Sequence, residues 1–154
     1  MPKSFYKNLT LEIPAGIYEP REDSFLMAEV LEKETLKGKK VLDMGCGSGL
    51  LSIIAARAGA EVSAVDVVSE TLECAKKNAK ANGSKINFAL SDLFQNLKEE
   101  KFDIIIFNAP YLPEEISDFS RTWAGGKKFE IVLRFIGEAN NFLKPNGKIF
   151  LLIS

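Results

Sequence analysis

At 154 residues, 46% of them hydrophobic and 27% charged, the chain has the size and composition of one globular domain with an ordinary core. A formal net charge of -1 gives no electrostatic footprint for a polyanion, which disfavours nucleic acid as the main substrate, and the absence of histidine excludes chemistry led by an imidazole. No apolar run approaches the ~18 residues of a membrane-spanning helix and the N-terminus shows no signal-peptide pattern, so a soluble cytoplasmic protein is expected.

After an extended start, Pro20 opens "REDSFLMAEVLEK", in which Asp23 or Ser24 can cap a helix and Phe25, Ala28, Val30 and Leu31 can face a core. "KKVLDM" predicts a short buried strand, "GCGSG" a glycine-rich turn, and "LLSIIAARAG" a helix ended by Gly59. "AEVSAVD" is a second strand, and "SETLECAKKNAKANG" a second helix capped by Ser69 and ended by Gly83. "KINFAL", "FDIIIF" and "GKIFLLIS" read as the third, fourth and fifth strands, with a helix "KFEIVLRFIGEANNFL" between the last two. Strands that alternate with helices, and that are apolar along their length rather than at every second residue, predict an α/β fold with a doubly wound, mostly parallel sheet.

Residues 1–154 are expected to form a single domain ending at the fifth strand. An apolar terminal strand such as Ile149 to Ile153 would leave an unpaired edge, so further C-terminal strands or another chain are expected to cover it. The long irregular stretch 112–128 has the length of a functional loop. Cys46 and Cys74 read as free thiols, and no metal site is visible.

"VLDMGCGSG" places Gly45, Gly47 and Gly49 in the first strand-to-helix turn, where a ligand can approach the backbone. Asp43 precedes the glycines, and Asp66 ends the second strand, followed by Val67; an acidic group there can bind ribose hydroxyls. Beside a pyrophosphate Asp43 would be a like charge at short range, whereas S-adenosylmethionine carries an ammonium and a sulfonium and no phosphate. The G-x-G-x-G spacing also departs from the dinucleotide fingerprint, so S-adenosylmethionine is the expected cofactor. In "LSDLF", Asp92 can accept from an adenine amino group, or simply cap a turn, and Leu93 can pack on the ring.

The fourth strand runs on into Asn108, Ala109, Pro110 and Tyr111. With "IYEPREDSF", "VLDMGCGSGLLS", "DLF", "FNAPYLP" and "TWAGGKKFEIVLRF" in this order, the chain resembles the class I S-adenosylmethionine-dependent methyltransferases, which are Rossmann-like, and specifically the HemK-like glutamine methyltransferases. The resemblance covers essentially the whole chain, and the early "IYEPREDSF" places it nearer the short archaeal and eukaryotic branch. It implies methylation of the glutamine side chain in the GGQ motif of a translation release factor. It also implies that Ser24 touches the methionine end of the cofactor, although an N-cap accounts for Ser24 equally well. Trp123 to Gly126 could form part of the substrate mouth.

An amide nitrogen is a poor nucleophile because its lone pair is delocalised. Two acceptors, the Asn108 side-chain oxygen and the carbonyl of residue 109, can favour a tetrahedral nitrogen if they bind more strongly in the transition state. Tyr111 can stack on the planar group. The family pattern is Asn-Pro-Pro-Tyr, so Ala109 keeps the carbonyl and gives up stiffness worth on the order of 0.4–1 kcal/mol, while Pro110 still biases Ala109. The same geometry would serve an adenine amino group, disfavoured by the missing recognition domain, or a lysine; a cofactor-binding scaffold without catalysis is the reading from another class. The third strand, apolar at Ile86, Phe88 and Leu90, is expected at a sheet edge, and the resemblance implies that a small zinc-binding activator protein adds a strand there.

Overall fold

The computed structural model describes residues 2–109 and 130–153. It opens with a hairpin of β1 (Lys3–Tyr6) and β2 (Leu9–Glu12), so the extended start is paired with itself. The period-2 signal is short but clear: Leu9, Leu11 and Ile13 are buried, while Thr10 and Glu12 between them are exposed. The turn was harder to see because it lacks glycine and places Lys7 at φ 50°.

The main sheet is built from β3 (Lys40–Met44), β4 (Glu61–Asp66), β5 (Asn87–Leu90), β6 (Phe102–Asn108) and β7 (Leu143–Leu152), in the order β5-β4-β3-β6-β7, with every neighbouring pair parallel. Helices α1 (Glu22–Glu32), α2 (Leu50–Arg57), α3 (Ser69–Ala81) and α4 (130–139) alternate with the strands. The predicted doubly wound α/β class is therefore the observed one.

Continuous apolarity in the strands has a direct cause. Val41, Ile104 and Ile106 face one core, shared with Leu31 of α1, Ile53 of α2 and the hairpin's Leu9 and Leu11. Leu42, Met44, Ile105 and Phe107 face the other, with Phe94, Phe102 and Phe135. Each fully buried side chain of this size contributes roughly 1.5–3 kcal/mol, and central strands collect that gain on both faces.

Two predicted caps are corrected. The N-caps of α1 and α3 are Arg21 and Val68, and neither makes a side-chain cap bond. Asp23 and Ser69 lie inside the helices. The Asp23 carboxylate is engaged by Tyr18 and Asn108, and the Ser69 hydroxyl donates to Glu70. Gly59 and Gly83 do follow α2 and α3, at φ 93° and 65°. β7 begins earlier than "GKIFLLIS", at Leu143, and its pairing with β6 slips between Phe102 and Ile104, where Asn146 at φ 64° makes room for the irregularity.

From β3 the sheet runs outward to β4 and β5, then restarts on the other side with β6. The strand order reverses between β3 and β6, so their carboxyl ends flank a crevice. Met44 stands opposite Phe107 in that register, which brings Gly45 and Asn108 to the same rim.

Candidate active site

The rim holds a cavity of about 600 Å³ lined by Gly45, Gly47, Asp66, Val67, Asp92, Leu93, Asn108 and Ala109, together with Tyr18 and Asp23. Of the residues singled out in the sequence, Asp43 and Ser24 are buried and are not among those lining it. Pro110, Tyr111 and the stretch Trp123 to Gly126 lie outside the described residues.

The glycine turn is held from three sides. Gly47 N–H donates to Asp66 Oδ2 at 3.1 Å, and the other carboxylate oxygen takes the Val68 N–H at 3.1 Å, tying the turn to the start of α3. From the middle of α3, the buried Asn78 donates through Nδ2 to the Ser48 carbonyl at 2.9 Å and the Glu12 carbonyl at 3.0 Å. Its Oδ1 accepts from Glu12 N–H at 2.8 Å. Gly49, at φ 90°, lets the turn meet α3 closely: a Cβ there would sit 3.3 Å from Ala75 Cα.

Asp43 works behind the turn. It is 2% exposed, accepts a hydrogen bond from the Ser52 hydroxyl, and is pushed up to about 7 from 3.8 chiefly by burial, with the nearby Asp66 charge adding to the shift against the Ser52 bond. Cys46 and Cys74 are both buried and free, and burial pushes the Cys46 thiol up, so neither is an activated nucleophile.

Across the cavity, Leu93 sits at φ 50°, an uncommon conformation for a branched side chain. Ser91 braces it: the hydroxyl donates to the Leu93 carbonyl at 2.7 Å and accepts from Asn96 N–H at 3.0 Å. Arg134 of α4 reaches both Asp92 oxygens, at 3.3 and 3.2 Å, and so fixes the plane of that carboxylate. With the Asp92 side chain 46% exposed, the pair adds little to stability and acts on orientation.

At the end of β6, Asn108 Nδ2 donates to Asp23 Oδ2 at 3.3 Å, and Tyr18 donates through its hydroxyl to Asp23 Oδ1 at 2.8 Å. Asn108 Oδ1 is buried and has no hydrogen-bond partner among the described residues. Ala109 is 4% exposed, and its N–H donates to the Leu152 carbonyl at 3.0 Å, extending the ladder between β6 and β7. A proline there would have no N–H to give. That bond is worth about 0.5–1.5 kcal/mol, comparable to the stiffness the alanine gives up.

Asp23, Tyr18, Ser52, Asn78 and Arg134 were not singled out as site residues from the sequence. Tyr18 and Asp23 did carry a signal, since both fall in "IYEPREDSF". Ser52 ends "VLDMGCGSGLLS" and Arg134 falls in "TWAGGKKFEIVLRF", whereas Asn78 is joined to its partners only by the fold.

Residues 21–154 match the model of a family described as the methyltransferase small domain. The chain belongs to this methyltransferase family. The family is S-adenosylmethionine-dependent, in agreement with the cofactor expected from the glycine turn. The methyltransferase is 41% identical over 96% of its length to a protein of Methanocaldococcus jannaschii named as a protein N5-glutamine methyltransferase, covering 77% of that protein. It is 32% identical over 90% of its length to human methyltransferase HEMK2, covering 72% of it. Among solved structures it resembles the T. thermophilus 16S rRNA N2 methyltransferase RsmC in complex with AdoMet and guanosine, with a TM-score of 0.73 and 27% identity, covering 97% of this chain and 40% of that one.

The cavity suits the cofactor on its own evidence. Its volume is that of a nucleoside-sized ligand site, and the Asp66 and Asp92 carboxylates keep lone pairs beyond those used by protein donors. Leu93, Val67 and the glycine backbone supply flat, close-approach surface between them.

Proposed function

We propose that this methyltransferase transfers a methyl group from S-adenosylmethionine to the side-chain amide nitrogen of the glutamine in the GGQ motif of a translation release factor. The observation that carries this is the buried Asn108 Oδ1, without a hydrogen-bond partner among the described residues, at the rim of the cofactor cavity. A buried acceptor without a donor costs about 1–3 kcal/mol, and a substrate N–H relieves that cost. Relatives named as a protein N5-glutamine methyltransferase and as a release factor glutamine methyltransferase support the choice of acceptor, the latter from Lactococcus lactis at 30% identity.

Asp66 would hold the ribose hydroxyls, Asp92 the adenine amino group, and Leu93 and Val67 the ring. S-adenosylmethionine, when bound, supplies an electrophilic methyl on a sulfonium. Asn108 Oδ1 and the Ala109 carbonyl accept the two N–H groups of the substrate amide. Their hold strengthens as the nitrogen turns tetrahedral and positive, which is the condition for lowering a barrier rather than only binding substrate. The nitrogen then becomes acidic and releases a proton to water, so no histidine is needed. Tyr111 would stack on the amide plane.

A second reading, methylation of an exocyclic amine on a nucleobase, is favoured by the likeness to RsmC. Incubation with labelled S-adenosylmethionine, a release factor and a nucleic acid, followed by mapping of the label, separates the two. Label on the GGQ glutamine supports the proposal, and label on a base overturns it.

A small zinc-binding activator protein is proposed to add a strand to β5. What supports it is that β5 is a sheet edge with Leu90 47% exposed. If turnover and solubility are unchanged by such a partner, the pairing is wrong.

A further inference from the structure

An asparagine side chain ends in one donor and one acceptor of nearly equal size, so a strand-end Asn can present either to a cavity. Asn108 needs its oxygen there. Its nitrogen is engaged by a residue outside the catalytic motif and 85 positions away in the chain.

Asp23 stands in the first turn of α1 and lines the cavity beside Asn108. One of its oxygens accepts from Asn108 Nδ2 at 3.3 Å and the other from the Tyr18 hydroxyl at 2.8 Å, so the carboxylate is pinned at both ends. An ionised carboxylate accepts and never donates. Turning the Asn108 amide over would set Oδ1 against a negatively charged oxygen, while the observed orientation sets N–H against it. Partial burial raises the Asp23 pKa, but the Tyr18 hydroxyl, the Ser24 backbone and the Asn108 amide outweigh burial and hold it below the usual value. The same contact, with burial as the larger cause, pushes Tyr18 up to about 12, so the phenol stays a donor.

We propose that Asp23 is a positioning residue that fixes the Asn108 side-chain amide with its oxygen toward the methyl-accepting nitrogen, and that Tyr18 holds the carboxylate for this task. The proposal rests on the reading of Asn108 as the acceptor for substrate N–H groups. Asp23 makes no contact with the reacting atoms in this role.

Three variants of the full chain test it: Asp23→Asn, Asn108→Asp, and the two combined. Asp23→Asn keeps the shape but lets the contact form with either polarity. Its kcat is expected to fall about tenfold, the effect of losing one charge-assisted bond, with affinity for S-adenosylhomocysteine within about twofold by calorimetry. In the cofactor-free, 15N-labelled protein the Asn108 side-chain amide protons are expected to move upfield in that variant. Asn108→Asp sets two carboxylates against each other. The combined variant restores a donor–acceptor pair with reversed polarity and an oxygen facing the cavity, so it is expected to exceed Asn108→Asp in turnover by about tenfold.

The proposal is overturned if Asp23→Asn leaves kcat and the Asn108 resonances unchanged, or if the combined variant is no more active than Asn108→Asp. It is also overturned if Asp23→Asn weakens S-adenosylhomocysteine binding as much as it lowers kcat, because Asp23 would then belong to the cofactor's own contacts. A wild-type protein that methylates no glutamine would overturn the functional reading instead, and the amide resonances would still judge Asp23.

Discussion

The two sides of the crevice are finished to different degrees. On the glycine-turn side the carboxylates and the amide that shape the loop are engaged by the protein: Asp66 by two backbone N–H groups, Asn78 by Glu12 and Ser48, Asp43 by Ser52. On the β6 side, Asn108 is held through its nitrogen while its oxygen has no partner among the described residues. A rigid cradle loses little on binding, whereas an unanswered acceptor gains most when the reacting group arrives. In the proposed function one side binds and the other reacts.

Variants should separate along this line. The largest effect is expected for Asn108→Ala, which removes the acceptor: transfer falls about 10²–10³-fold in a methylation assay, while calorimetric affinity for S-adenosylhomocysteine stays within about threefold. Asn78→Leu, on the other side, removes the bonds to the Ser48 carbonyl and to both Glu12 backbone groups, leaving the Glu12 carbonyl only the weak Cys74 thiol, and is expected to cost about 3 kcal/mol in urea denaturation, with weaker cofactor affinity. If Asn78→Leu lowers kcat but not affinity, the division between the two sides breaks down.

Asp43 sharpens the comparison through pH. Its native pKa, about 7, lies above the unfolded 3.8, so the native state binds the extra proton between these values and wild-type stability falls as pH rises through that window. Relative to Asp43→Asn, the expected loss between pH 5 and pH 7 is about 2 kcal/mol by chemical denaturation. A wild type that gains stability on Asp43→Asn over that range would place the Asp43 charge in a better-solvated site. The smallest effect is expected for Ala109→Pro. It exchanges the bond to Leu152 for a stiffer backbone, so both kcat and stability should move by no more than about 1 kcal/mol.

The parts of this arrangement visible in the sequence are those encoded locally. Strands buried on both faces, Gly59 and Gly83 after the helices, and the glycine turn all show within a window of a dozen residues. The helix caps misled because Asp23 and Ser69 are good capping types whose side chains found other partners. Asn78 reads as one more polar residue of an amphipathic helix, yet its partner Glu12 is 66 positions away. Arg134 and Asp92 are 42 apart. Such contacts are products of the strand order, and no periodicity announces them.

The most direct test of the central claim is a crystal structure of the methyltransferase with S-adenosylhomocysteine and a peptide carrying the GGQ glutamine. The account predicts the glutamine side-chain nitrogen within hydrogen-bonding distance of Asn108 Oδ1 and the Ala109 carbonyl, with Asn108 Nδ2 still on Asp23. A glutamine bound elsewhere in the cavity, with Asn108 Oδ1 answered by the cofactor, would contradict it.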